Sequence, residues 1–142
     1  MRIYLAAPYS QKNQMQRYAA ELRANDIIVT SSWLAEPHAP ETQMKDLTSD
    51  QHRAYALQDI KDVQAADILV FFTDQTKTLV RGGRHVEFGI AVQRRIPIYV
   101  IGDFENIFHY LPRVIHFKKW ATVRNMLIAL SRGETDIVAN CW

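Results

Sequence analysis

The stretch Ile68-Leu69-Val70-Phe71-Phe72 decides the fold of this chain, because it is a run of five apolar residues without polar alternation. A continuous apolar run of this length is typical of a strand that is buried on both faces of a sheet. Similar short apolar runs recur at residues 3–7, 27–29, 96–101 and 114–117. The sequence therefore predicts five strands in a sheet that is covered on both sides.

Segments with helical signals separate these strands. Residues 10–24 carry apolar side chains at helical spacing, and Ser10 is in position to cap the first turn. Thr48-Ser49-Asp50-Gln51 has the pattern of a capping box and begins a second helix that extends to residue 66. We expect two more helices, one over residues 83–94 and an amphipathic one over residues 120–130.

Strands that alternate with helices favour a parallel sheet between two helical layers. Five strands joined by right-handed crossovers predict an α/β, flavodoxin-like, doubly wound sheet of order 2-1-3-4-5. We expect a single domain over residues 1–142, with a core at about 2–132 and a tail at 133–142. Residues 33–47 contain two prolines and predict a long loop, which in a small domain is usually functional or mobile.

The composition excludes several classes of protein. A net charge of +2 over 142 residues gives no reason to expect a nucleic-acid polymer or a membrane surface as partner. No apolar run approaches the length of a membrane span. The single cysteine, Cys141, excludes an internal disulfide and a multi-cysteine metal site, and it suits a cytoplasmic location.

The predicted topology locates a ligand site. In the order 2-1-3-4-5 the switch point lies between strands one and three, and ligands of such sheets bind there, outside the carboxyl ends of the strands. The segments expected to meet at this crevice are residues 6–10, residues 73–81 and the start of the helix at Gly83. Ala6, Tyr9 and Ser10 are therefore candidate substrate contacts.

Glu87 is the strongest candidate for chemistry. It is the one charged residue between Val86 and Val92, and it shares a helical face with Ile90 and Ala91. Withdrawing a carboxylate from water costs several kcal/mol, more than a helix N-terminus returns, so Glu87 needs a partner or a wet cleft. It could be a nucleophile, it could anchor a ligand hydroxyl, or it could form a structural ion pair with a basic residue.

A second acid, Asp59, lies on the buried stripe of the helix before strand three, where it could transfer a proton to a leaving group. The alternative is an ordinary solvated helix charge. Arg81, Gly83 and Arg84 at a helix start could hold a phosphate. Asn106 follows strand four and could contact a planar ligand or a partner subunit, or simply cap the end of the sheet.

Motifs for cofactors and metals are missing from the sequence. There is neither a GxGxxG nor a GxxxxGK[ST] pattern. The sequence His85-Val86-Glu87 matches half of a zinc deaminase signature, but the Pro-Cys-x-x-Cys half is lacking. We therefore expect no cofactor and no catalytic metal.

These motifs together resemble the nucleoside 2-deoxyribosyltransferase-like family, including its nucleoside 5′-monophosphate N-glycosidase branch. The resemblance covers about residues 2–117. It is carried by Ile3-Tyr4-Leu5-Ala6-Ala7, Asp59-x-x-x-Val63-x-x-Ala66-Asp67, Gly83-x-x-x-Glu87-Phe88-Gly89-x-Ala91, Ile96-Pro97-Ile98-Tyr99-Val100 and Asn106.

The resemblance implies an enzyme that cleaves or exchanges the N-glycosidic bond of a (deoxy)nucleoside or its 5′-monophosphate, without a cofactor. Glu87 would attack the anomeric carbon, Tyr4 would orient it, and Asp59 would contact or protonate the departing base. The resemblance also implies an obligate dimer or larger assembly. In such an assembly Asn106 would reach the sugar or base, often in the site of a neighbouring subunit. The alternatives are a monophosphate N-hydrolase and a nucleotide-binding protein without turnover.

Two positions depart from the family pattern. Arg81 stands where many of the transferases carry an Asp, six residues before the glutamate, and it could favour a 5′-phosphate. The segment from Ala6 to Ser10 replaces the glycine-rich basic loop of many of the hydrolases. These departures leave transfer and hydrolysis both open.

Overall fold

A computed structural model describes residues 1–73 and 82–134 of the chain. Five strands form one sheet in which all neighbours are parallel, and the order β2-β1-β3-β4-β5 confirms the predicted one. The strands are β1 (Arg2–Ala6), β2 (Ile28–Val29), β3 (Ile68–Phe72), β4 (Ile98–Ile101) and β5 (Val114–Phe117). The helices are α1 (Lys12–Arg23), α2 (Ser49–Ala65), α3 (Gly83–Gln93) and α4 (Trp120–Ser131).

The central strand β3 is buried along its whole length, as its apolar run predicts. Because successive side chains of a strand point to opposite faces, Phe71 and Phe72 contact different helical layers. Phe71 packs edge-on against Phe88 of α3. Phe72 contacts Tyr18 of α1 and Trp120 of α4, whose rings stack with centroids 4.5 Å apart. The sheet is thus covered on both sides.

Two helix starts show what local sequence patterns can and cannot predict. The capping box at α2 is confirmed, since Thr48 Oγ1 accepts from the Gln51 amide and the Gln51 side chain accepts from the Thr48 amide. The prediction that Ser10 caps the first helix is wrong. A 3-10 turn over Tyr9–Gln11 precedes α1, and the N-cap position falls on Gln11 without a side-chain cap.

The sheet register brings the carboxyl ends of β1 and β3 together, since Ala6 pairs with Phe71. The chain leaves both strands at the same edge, and α3 begins there. Within residues 1–73 and 82–134, no helix has the length and apolar character needed to cross a membrane. The fold therefore creates a crevice at the predicted switch point.

Candidate active site

A cavity of about 800 Å³ opens at the carboxyl ends of β1 and β3, which is within the usual size range of small-molecule sites. Its walls come from four parts of the chain. These are the segment after β1, the loop after β2, the inner face of α2 and the start of α3. Glu87 and Asp59 both line this cavity.

Glu87 has a partner from the central sheet. The buried Tyr4 of β1 donates a hydrogen bond from its hydroxyl to Oε1 of Glu87, at 2.8 Å. None of the ion pairs among the described residues includes Glu87. Arg94 instead caps the end of α2 through the carbonyls of Val63 and Ala66. The acid is therefore held by a neutral donor, with one side open to the cavity.

The surroundings of Glu87 oppose its ionisation. Burial raises its pKa to about 8, although the hydrogen bond from Tyr4 lowers it and the charge of nearby Asp59 raises it. Burial, followed by the neighbouring charge of Glu87, in turn raises the pKa of Tyr4 well above its usual value. Tyr4 is thus a stable proton donor in this hydrogen bond, and Glu87 is the acceptor.

Asp59 faces the cavity from α2 with an unused oxygen. Its Oδ1 is buried and accepts no hydrogen bond from the described residues. Burial, followed by the charges of Glu36 and Asp62, raises the pKa of Asp59 to about 7. A carboxyl group with such a pKa can exchange a proton at neutral pH. This position excludes the alternative of a solvated helix charge.

The loop after β2 forms the wall opposite α3. Trp33 is buried there, donates from its indole nitrogen to the Leu5 carbonyl at 3.0 Å, and contacts the ring of Tyr9. Lys12 is buried beneath the loop and donates to the backbone carbonyls of Glu36 and His38. The first helix therefore fixes this wall from below.

A family comparison covers most of the chain. The family described as Nucleoside 2-deoxyribosyltransferase matches residues 3–126. The chain belongs to this family. Its members are enzymes that act at the N-glycosidic bond of small nucleosides or nucleotides. No protein of curated function matches the sequence.

Solved structures share the fold of this family member. A 2-deoxyribosyltransferase from Bacillus psychrosaccharolyticus aligns with a TM-score of 0.67 and 20% identity, over 88% of this chain and 91% of its own. The CMP N-glycosidase BcmB of Clostridium botulinum aligns with a TM-score of 0.54 and 18% identity, over 89% and 98%. A conserved protein from Enterococcus faecalis V583 gives 0.53 and 17%, over 92% and 87%. These likenesses concern the fold.

Only some of the substrate contacts predicted for this deoxyribosyltransferase-family chain line the described cavity. Tyr9, Ser10 and Gly83 line the cavity. Ala6 is fully buried within β1, and the cavity wall begins with its neighbour Ala7. Arg81 lies outside the described residues, so its role stays a prediction.

Arg84 contributes to the cavity wall, but its guanidinium is engaged inside the protein. The side chain is 4% exposed and Nη1 lies 2.7 Å from Oε2 of Glu105. The guanidinium also covers the ring of Phe71, with its carbon 5.0 Å from the ring centre. The charge of Arg84, a sequence-based candidate for holding a ligand phosphate, is thus paired within the fold.

Asn106 is not among the residues that line the described part of the cavity. Its Oδ1 accepts from the Phe108 amide at 2.9 Å and begins a 3-10 turn over Ile107–Tyr110. In this turn Ile107 is 78% exposed and Tyr110 73% exposed. Asn106 thus sits beside an exposed apolar patch.

The site includes residues that sequence reasoning missed. Glu36, His38 and Tyr55 line the cavity, and His38 Nε2 lies 2.7 Å from the Tyr55 hydroxyl. The predicted long loop over residues 33–47 contains Glu36 and His38 and indicated a functional segment. Nothing in the sequence identified these individual side chains as part of the site. Among the described residues, no group of three or more His, Cys, Asp and Glu could hold a metal ion. The expectation of metal-free chemistry stays a prediction.

Proposed function

We propose that this protein cleaves or exchanges the N-glycosidic bond of a (deoxy)nucleoside or its 5′-monophosphate through a glycosyl ester on Glu87. One observation carries the proposal: a carboxylate held by the Tyr4 hydroxyl shares a cavity with Asp59, whose Oδ1 has no described donor. A nucleophile and a proton donor are the two groups that this reaction needs.

In the first step, Oε2 of Glu87, the oxygen without the Tyr4 hydrogen bond, attacks the anomeric carbon. The bond from that carbon to the base nitrogen breaks, and its electron pair leaves with the base. Asp59 gives its proton to the base, so that a neutral base departs. The products are a glycosyl ester on Glu87, the free base and an ionised Asp59. The positive charge that develops on the sugar is stabilised by the approaching carboxylate.

In the second step, the acceptor is either water or another base. Its oxygen or nitrogen bonds to the anomeric carbon, the ester bond breaks and Glu87 leaves as a carboxylate. Asp59 takes the proton that the acceptor loses. Both groups then return to their initial protonation states, so the cycle consumes no external acid or base.

In the active form Asp59 and Glu87 hold one proton between them, and that proton is on Asp59. Glu87 must be ionised to attack, and Asp59 must be protonated to assist the base. The pKa of Asp59 is about 7 and that of Glu87 about 8, so the pair holds a single proton mainly between these values. That proton lies mostly on Glu87, and the active form, with the proton on Asp59, is the minor of the two arrangements. We expect kcat/KM to pass through a maximum in this interval and to fall on both sides.

Charge in the cavity favours free nucleosides over monophosphates. Among the side chains that line it are four acids: Glu36, Glu41, Asp59 and Glu87. Arg84 is paired with Glu105. A 5′-phosphate would therefore depend on Arg81 or on the amides at the start of α3. We therefore propose transfer of the sugar from one base to another as the first candidate activity, and hydrolysis of a nucleoside 5′-monophosphate as the second.

We also propose that the protein works as a homodimer or larger assembly in the cytoplasm. The exposed side chains of Ile107, Phe108 and Tyr110 form an apolar patch next to Asn106. Covering this patch with a second copy would bury apolar surface, and the family resemblance implies that Asn106 then serves the site of the neighbouring subunit. The single cysteine suits a reducing compartment.

A substrate panel tests the proposal. Nucleosides and their 5′-monophosphates are incubated with and without a second free base, and released and exchanged bases are separated by chromatography. Exchange that requires the acceptor indicates a transferase, and base release without acceptor indicates a hydrolase. Tight binding with no turnover would identify a nucleotide-binding protein and overturn the proposal. Arg81→Ala should weaken phosphorylated substrates far more than free nucleosides if Arg81 holds the phosphate.

A further inference from the structure

A second buried acid lies one helical turn beyond Asp59. Asp62 of α2 is 8% exposed, and residues three apart on a helix share a face. Its Oδ2 accepts from the backbone amide of Ser32 at 2.9 Å and also from the Ser32 hydroxyl. Its Oδ1 accepts from the side-chain amide nitrogen of Gln58 at 2.8 Å. Three donors thus occupy both oxygens of the Asp62 carboxylate.

The charge of Asp62 has no cation to balance it among the described residues, since none of their ion pairs includes it. A buried charge without a counter-ion costs several kcal/mol. Holding Ser32 does not require that cost, because the carbonyl oxygen of an asparagine could accept from the same two donors. The negative charge itself therefore needs an explanation beyond anchoring the loop.

The charge of Asp62 acts on titratable groups in and beside the cavity. Like charges in one site disfavour ionisation, and Asp62 accordingly raises the pKa of Asp59, of Glu87 and of Tyr4, in each case after larger effects. The other titratable or charged groups that act on Asp59 or Glu87 come from the remaining walls of the site: Tyr4 on β1, Glu36 after β2 and Arg84 on α3.

Asp62 differs from Glu36 in one respect that matters during turnover. Glu36 lines the cavity, where a ligand can contact or displace it. Asp62 is not among the lining residues of the described chain, and its contacts to Ser32 and Gln58 fix it behind the wall. Its charge therefore persists when substrate fills the cavity.

We propose that Asp62 is a fixed negative charge that retains one proton on the Asp59–Glu87 pair and so sets the pH range in which the site is active. Asp62 touches no substrate and acts through the two cavity acids. The inference rests on the proposed function for its catalytic meaning, but the effect on proton binding does not depend on any reaction.

The test is Asp62→Asn, read by carbon-13 NMR titration of aspartate carboxyl groups in the substrate-free protein. Asp59→Asn assigns the signal of Asp59. Loss of the charge should lower the titration midpoint of Asp59, because a like charge in the same site disfavours ionisation. In kcat/KM, both sides of the pH profile should move to lower pH by a similar amount, with the maximal value largely retained.

Ser32→Ala is the matched control, because it removes one hydrogen bond to Asp62 and leaves the charge; its profile should stay in place. Gln58→Lys is a second variant that keeps Asp62 and sets a cation beside its Oδ1. Gln58→Lys should shift the titration midpoint of Asp59 in the same direction as Asp62→Asn. It provides the same test if Asp62→Asn does not fold.

An unchanged Asp59 midpoint in both charge variants overturns the proposal, as does a uniform loss of activity without a shift of the profile. Failure of the proposed function looks different. In that case the wild-type protein releases no base from any substrate, while the NMR midpoints still move.

Discussion

The hydroxyl of Tyr4 lies 2.8 Å from Oε1 of Glu87 and joins the central strand β1 to helix α3. Tyr4 is fully buried, so its ring has few alternative positions. The hydrogen bond therefore fixes one oxygen of Glu87 and leaves the other for the cavity. It also stabilises the ionised form of an acid whose burial favours the neutral form.

Replacing Tyr4 by Phe should make Glu87 harder to ionise. A hydrogen bond to a charged group is worth about 1.5–3 kcal/mol, so its loss raises the pKa of Glu87 above about 8. At pH 7 we expect kcat/KM to fall by roughly tenfold or more, and we expect the high-pH side of the profile to move to higher pH. Tyr18→Phe, on the opposite side of the sheet, should leave the pH profile in place. An equal loss at every pH would show that Tyr4 acts by packing alone.

Replacing Asp59 by Asn should affect substrates according to their leaving group. Asparagine cannot protonate the base, so kcat/KM for ordinary bases should fall by roughly 100-fold or more. A nucleoside whose base is already cationic, such as a 7-methylpurine nucleoside, needs no proton and should lose far less. Asp50→Asn, at an exposed position of the same helix, is the control. Equal losses for both substrates would exclude Asp59 as the acid.

Replacing Glu105 by Gln should destabilise the fold. Arg84 is 4% exposed, and Glu105 is its ion-pair partner among the described residues, so Gln removes the anion that balances this buried charge. Breaking a buried pair in this way costs about 3–5 kcal/mol, which urea unfolding at 25 °C measures. The exposed pair of Arg53 and Asp50, with side chains 70% and 90% exposed, provides the comparison. Asp50→Asn should cost less than about 1 kcal/mol. Similar costs for the two variants would contradict a structural role for Arg84.

Mixing two inactive variants tests the shared site. Glu87→Ala and Asn106→Ala should each be inactive or weak alone. If Asn106 serves the neighbouring subunit of a dimer, mixed dimers contain one complete site, and random mixing should restore roughly a quarter of wild-type activity. No recovery after verified subunit exchange would place Asn106 in its own subunit or outside the site. Phe108→Asp should also shift the assembly toward monomer in light scattering.

The strands and their order were predictable because burial on both faces leaves a direct mark on the sequence. The Ile68–Phe72 strand was predicted to the residue, and the strand order followed from topology rules. The start of α1 was not predictable from Ser10. The Gln11 amide bonds to the Pro8 carbonyl and forms a 3-10 turn first, which moves the N-cap position to Gln11.

The site was predictable only where one residue carried its own signal. Glu87 stood out because its apolar helix could not accommodate a charge without help. The guanidinium of Arg84 is held by Glu105 and Phe71, which are distant in sequence, so its pairing could not be predicted. The setting of Asp62 likewise depends on Ser32, which reaches it only through the fold. Side-chain pairs made by tertiary packing leave no local pattern to read.

The covalent ester on Glu87 is the central claim, and mass spectrometry of acid-quenched enzyme tests it most directly. Wild-type protein, Glu87→Gln and Asp59→Asn are mixed with a substrate from the panel, quenched during turnover and digested. We predict that the wild-type peptide containing Glu87 gains the mass of one sugar or sugar phosphate, less water, and that Glu87→Gln never does. An adduct on another residue, or full base release by Glu87→Gln, would contradict the account.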